Sequence, residues 1–137
     1  MFVNNNELLD AKVYWKKIKN KYQALTESEM IKKQLNDEDI KKFNVLNIRA
    51  IGLSWGLYNQ LQEDALDVDG DNKRFNVKKF KENKLKKTIK EWDAKTDKGE
   101  PIPVNEKTIL SMTPAVAEAI LRAYDELTFL TEEDEKN

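Results

Sequence analysis

A mainly α fold is what the sequence predicts: a single helical domain over residues 1–130, with room for one short strand or β-hairpin, then an acidic tail at 131–137 expected to be disordered. Three observations lead there. Apolar residues recur at helical spacing in several long segments. Cap signatures precede most of those segments. Only 4 Gly and 3 Pro interrupt 137 residues, and 12 aromatic residues argue for a real core.

From Asn6 to Gln23, Leu9, Val13, Ile18, Tyr22 and Leu25 fall near one stripe, with Trp15 beside it and Lys12, Lys16, Lys17, Lys19 and Lys21 on the flanks. That spacing predicts an amphipathic helix. Thr26-Glu-Ser-Glu29 is a capping box opening a short helix to about Leu35, and Asn36 with Asp37, Glu38 and Asp39 is a second helix start. Phe43–Ile51 alternates and is β-rich, so it reads as a short strand, with continuation of the preceding helix as the other reading. Ser54 caps a helix to about Leu66, through Trp55, Tyr58 and Leu61. Residues 67–72, Asp-Val-Asp-Gly-Asp-Asn, are a turn by composition. Asn76 caps a long helix to about Asp93, with Val77, Phe80, Leu85, Ile89 and Trp92 inward. Gly99, Pro101 and Pro103 mark a loop from Lys95 to Val104, and Asn105 caps a short helix to Met112. Thr113-Pro114 is a cap with a first-position proline, opening a last helix to about Phe129 with Val116, Ile120, Ala123, Tyr124 and Leu127 inward.

Composition excludes whole classes of chemistry. The chain has no cysteine and no histidine. Disulfides, thiolate nucleophiles and sulfur-built metal sites are out, and so is the usual neutral-pH acid/base group. Catalysis would fall to carboxylates, lysines and tyrosines, and no such constellation stands out, so no enzyme and no cofactor are expected. Net charge is −1, which gives no global attraction to nucleic acid or membrane. The N-terminus carries no basic-then-apolar leader, and the longest apolar runs are far below the ~20 residues a membrane helix needs. A soluble, cytoplasmic protein is expected.

Three local features compete with plainer readings. Asp67, Asp69 and Asp71 match the first three ligand positions of an EF-hand calcium loop, but Asn72 replaces its glycine and Lys78 its bidentate acid. An acidic turn is the plainer reading. Lys73 to Lys90 holds nine basic residues, including Lys78, Lys79, Lys84, Lys86 and Lys87, against Glu82 alone. A solvated helix face comes first, then a protein partner, then nucleic acid, for which interleaved aromatics are missing. Trp15, Trp55 and Trp92 sit at helical spacing and read as core; Trp15 and Trp55 are the candidates for partner anchors.

The order of features in residues 45–130 carries a resemblance. Leu46–Ile51 is followed by Gly52-Leu-Ser-Trp-Gly56, a Lys-rich segment ending Glu91-Trp-Asp93, then Gly99-Glu-Pro-Ile-Pro-Val104, Ile109-Leu110 and Thr113-Pro-Ala-Val-Ala117. This resembles the small tail-assembly-chaperone-like proteins of long-tailed bacteriophages. The resemblance implies a non-enzymatic, mostly helical protein in the infected cell that binds the tape-measure protein and recruits tail-tube subunits. A homo-oligomer is compatible with it. A phage structural or adaptor protein, carried in the virion, is the alternative.

Overall fold

The computed structural model describes residues 1–4 and 6–129, and its fold is α+β: 41% helical and 30% strand, so the mainly α expectation is overturned. In chain order the elements are β1 (Leu8–Ile18), β2 (Lys21–Thr26), α1 (Glu27–Lys32), α2 (Asp37–Lys41), β3 (Asn44–Ile51) and α3 (Trp55–Asp64). They continue with β4 (Leu66–Asp69), β5 (Asn72–Phe75), α4 (Val77–Thr88), β6 (Ile89–Trp92), α5 (Glu106–Leu110) and α6 (Pro114–Thr128). The expected acidic tail at 131–137 lies outside the described residues.

The first correction is the predicted helix at Asn6–Gln23, which is the β1–β2 hairpin. Its stripe misled because four residues is two strand periods and also close to one helical turn. Leu9 and Val13 are neighbours on a helix face and equally on a strand face. The strand pattern also contains Ala11 and Trp15, with Asp10, Lys12 and Lys16 between, and Val13, Tyr14, Trp15 and Ile18 favour β structure. The chain turns at Lys19-Asn20, with Lys19 at φ +59°.

β1 pairs antiparallel with β3, and β3 antiparallel with β6, giving a four-stranded sheet in the order β2-β1-β3-β6. The register places Leu9, Ala11, Val13 and Trp15 of β1 opposite Ala50, Ile48, Leu46 and Asn44 of β3. This face is the core. Val13 and Ile48 are buried, and α6 covers them with Ala119, Ile120, Ala123 and Tyr124, joined by Leu85 and Ile109. Each such branched side chain taken fully out of water contributes about 1.5–3 kcal/mol. Polar bonds fix α6 in place: the Tyr124 hydroxyl donates to the Ile51 carbonyl at 2.7 Å, and the Thr26 hydroxyl donates to Glu126 at 3.0 Å.

On the opposite face α1 and α2 shelter a smaller cluster of Leu25, Met30 and Phe43, with Tyr14 and Leu35 against it. Elsewhere on that face Ile18 and Val45 are exposed, and Arg49 lies between Asp10 at 3.1 Å and Glu91 at 3.6 Å.

The second correction concerns the helix expected to run to Asp93. It ends at Thr88, and Ile89–Trp92 turns extended as β6 to pair with Ile48–Ala50. Thr88 and Ile89 are β-branched and Trp92 favours a strand, and the open side of β3 supplies the partner. Third, the acidic turn is the tip of a two-stranded hairpin, β4–β5, turning at Gly70 with φ +61°. Among residues expected inward, Ile18, Val77 and Leu127 are exposed, because their elements bury other faces.

Candidate functional site

The sheet is longer than α6 can cover. At the hairpin end of the core face a cleft of about 440 Å³ remains open. Trp15 and Tyr22 form one wall, their ring centroids 6.1 Å apart, and Leu46 lies between β1 and β6. Trp92 stands across from them, and Met112 and Val116 close the cleft from the α5–α6 junction. The walls are mostly apolar, in the size range and character of ligand-holding clefts.

Local bonds hold these walls. The Trp92 indole N–H donates to the Ile102 carbonyl at 2.7 Å. The loop that carries Ile102 doubles back through Thr96 N–H to Glu100 C=O at 2.8 Å and Ile102 N–H to Ala94 C=O at 2.9 Å, turning at Gly99 with φ +80°. Asn105 caps α5 as expected, accepting from Thr108 N–H at 2.9 Å. Thr113 does not cap as expected: it holds the N-cap position of α6, but its hydroxyl makes no cap bond and is buried without a hydrogen-bond partner. On the rim, Asp93 accepts from the Asn47 backbone N–H at 2.8 Å and side-chain amide at 2.7 Å. That carboxylate extends the β3–β6 pairing and is spent on it.

One edge of β3 opens into the cleft. Asn47 bonds to the β6 side through both its N–H and its C=O, the latter accepting from Asp93 N–H at 3.1 Å. Backbone groups alternate along a strand, so Val45 presents its N–H and C=O to the same side, where β6 has already ended.

Of the anchors predicted from sequence, Trp15 lines the cleft. Trp55 does not. It is 77% exposed at the start of α3, stacked on Tyr58 at 6.2 Å, so core packing is wrong for it. Trp15 and Trp92 are half-buried against the core.

Four of the nine basic residues from Lys73 to Lys90 are neutralised within the chain. Lys79 bonds to Asp67 at 2.6 Å, Lys81 to Glu118 at 3.1 Å and Lys86 to Glu106 at 3.0 Å. Lys84, expected on a solvated face, is buried, paired with Asp125 and lying over the rings of Phe80, Tyr124 and Phe129. Lys73, Arg74, Lys78, Lys87 and Lys90 remain exposed, and none of them reaches a carboxylate among the described residues.

Asp67, Asp69 and Asp71 sit on and beside the β4–β5 turn, so the helix–loop–helix frame of an EF-hand is absent. The hydrogen bonds from Lys79 and then Asn76 hold the Asp67 carboxyl below its ordinary pKa. Among the described residues no group of three or more acidic side chains is placed to hold a metal ion. No described helix is long and apolar enough to cross a membrane.

Tyr22, Trp92, Met112 and Val116 were missed as site residues. Their signal was the period-2 run through Trp15, which turns the Trp15–Tyr22 pair into cross-strand diagonal neighbours on one face. No family model matches the chain, and neither the curated proteins nor the solved structures contain a match.

Proposed function

We propose that this chain is a non-enzymatic binding module that shelters an apolar segment of a partner protein in the cleft between Trp15 and Trp92. The observation that carries this reading is the cleft itself: about 440 Å³, aromatic on two sides and flanked by an unpaired stretch of β3. Exposed apolar hollows of this kind are costly to leave in water, and aromatic walls are what protein anchors bind best. The rim carboxylate is committed to Asn47, which leaves the cleft suited to holding a ligand.

The resemblance across residues 45–130 gives the partner a form. Under it, the segment belongs to a phage tape-measure protein, tail-tube subunits are recruited to the complex, and the work is done in the host cytoplasm. The sheltering surface would be a cleft and a sheet edge, in place of the helical groove that a mainly α fold suggests.

Co-expression of the full chain with overlapping tape-measure segments tests this. A soluble complex that shifts the tryptophan emission is expected. If no segment is bound or solubilised, the proposal is wrong.

A further inference from the structure

We infer that the cleft takes an extended segment in which an apolar or aromatic anchor is flanked by Asp and Glu. This rests on the protein-binding reading and specifies the chemistry of its partner.

The carrying observation is charge. From Ala11 to Thr26 the chain holds five lysines, Lys12, Lys16, Lys17, Lys19 and Lys21, and no acid. None of the five reaches a carboxylate among the described residues. On α4 the opposite holds, where four lysines in succession are answered by Asp67, Glu118, Asp125 and Glu106. Net charge is −1, so the chain has acids enough to pair the hairpin lysines as well. Two of them stand at the cleft end of the hairpin: Lys17 shares the face of Trp15 and Tyr22, and Lys19 holds the turn, whereas Lys12, Lys16 and Lys21 alternate to the other face, where Lys16 lies over Phe43 at 4.6 Å. Lys17 lies over the Tyr22 ring at 5.6 Å, tying the cationic and aromatic surfaces into one. Lys95 adds a further cation on the cleft lining.

Backbone geometry fits an extended ligand. Val45 offers one N–H and one C=O to the cleft side of β3, enough to seat one residue of a partner strand as a short continuation of β6. From that edge to β2 is two strand spacings, about 10 Å, or about three residues of extended chain. A segment that leaves Val45 across the cleft therefore places its anchor between Trp15 and Trp92 and its neighbouring acids within reach of Lys17 and Lys19.

Fluorescence anisotropy with the full chain and labelled peptides tests this. The probes are Glu-Glu-Asp-Phe-Leu-Asp-Glu-Glu, its neutral counterpart with Gln and Asn for the acids, its anchor-less counterpart with Ser-Ser for Phe-Leu, and an oligo(dT). The acidic anchored peptide should bind, with both counterparts about tenfold or more weaker, a difference of about 1.4 kcal/mol. A variant carrying Lys17→Glu and Lys19→Glu, both at exposed positions, should keep its circular dichroism and lose about tenfold for the acidic peptide. The control Lys78→Glu with Lys87→Glu should change little. A neutral peptide that binds as well as the acidic one overturns the acidic preference and leaves the apolar cleft standing. Failure of both anchored peptides overturns both readings. Tighter binding of oligo(dT), lost in the hairpin variant, assigns the lysines to nucleic acid and overturns the proposal.

Discussion

The indole N–H of Trp92 donates to the carbonyl of Ile102 at 2.7 Å, and that bond sets one wall of the cleft. Trp92→Phe keeps an aromatic ring on the core but leaves the carbonyl without its donor. A loss of about 1 kcal/mol in urea unfolding is expected, together with weaker capture of the anchored peptide. Unchanged stability and unchanged capture would show that the bond positions nothing.

Arg122 donates to both carboxylate oxygens of Glu29, each at 3.0 Å, joining α6 to α1. Burial raises the Glu29 carboxyl, but the Arg122 bond, the Thr26 backbone bond and the Arg122 charge together outweigh it, so its pKa lies below the usual glutamate value. A folded-state pKa below the unfolded one means the contribution is whole above the ordinary value of about 4.3 and is lost as pH falls through the folded value. Both side chains are partly exposed, so the contribution is about 1 kcal/mol or less. Glu29→Gln should flatten the acid limb of a stability–pH curve below about pH 4.3. Superimposable limbs would refute it.

Tyr124 behaves in the opposite sense. Burial, and then the charge of Asp125, push its phenol up to about 12. The neutral form is favoured in the folded chain, so stability is intact below the ordinary tyrosine pKa of about 10 and declines as pH rises toward the folded value. Tyr124→Phe should remove that alkaline decline while costing about 1 kcal/mol at neutral pH through the lost bond to Ile51. Thermal melts across the alkaline range decide.

Lys84 and Asp125 are unequal partners. The lysine side chain is 8% exposed and the aspartate 51%. Removing the acid strands a buried ammonium, whereas removing the lysine releases an exposed carboxylate to water. Asp125→Ala should therefore cost about 3 kcal/mol, and Lys84→Met about 1 kcal/mol or less. Equal losses in denaturant titration would contradict this asymmetry.

Lys19 occupies the left-handed region at φ +59° at the hairpin turn. Lys19→Gly should raise stability by about 0.5 kcal/mol, the relief of backbone strain being partly offset by the freer unfolded chain. A drop in melting temperature would mean the lysine side chain contributes something the turn needs.

What was legible in the sequence was local. Thr26, Asn36, Ser54, Asn76 and Asn105 all cap the helices they were expected to cap, because a cap is decided within three residues. β3 was legible because Leu46, Ile48 and Ala50 alternate and Gly52 and Ser54 end the run, which favoured a strand over continuation of the preceding helix. The β1–β2 hairpin was not, since Leu9, Val13 and the lysines beside them satisfy either period, and the choice is made by β3, thirty-odd residues away in sequence. Once that segment is read as helix, Trp15 and Tyr22 cannot share a wall and the cleft disappears. The lysine run from 73 to 90 drew attention as a charged surface for the same reason. Its neutralising acids, Asp67, Glu106, Glu118 and Asp125, come from three other elements, and only the fold shows them arriving.

Arg122 has a second bond, from its Nη2 to the carbonyl of Ala24 at 3.2 Å. In the β1–β2 register Ala24 stands at a position whose backbone groups point away from β1, toward the side where the sheet stops. An unpaired strand border is a template on which other chains can stack. The guanidinium sits on one of the acceptors such stacking would need, so a single side chain from α6 acts as a chain terminator for the sheet. That carbonyl is withheld from pairing at the β2 border, while at the far border of the same sheet the groups of Val45 stay open beside the cleft.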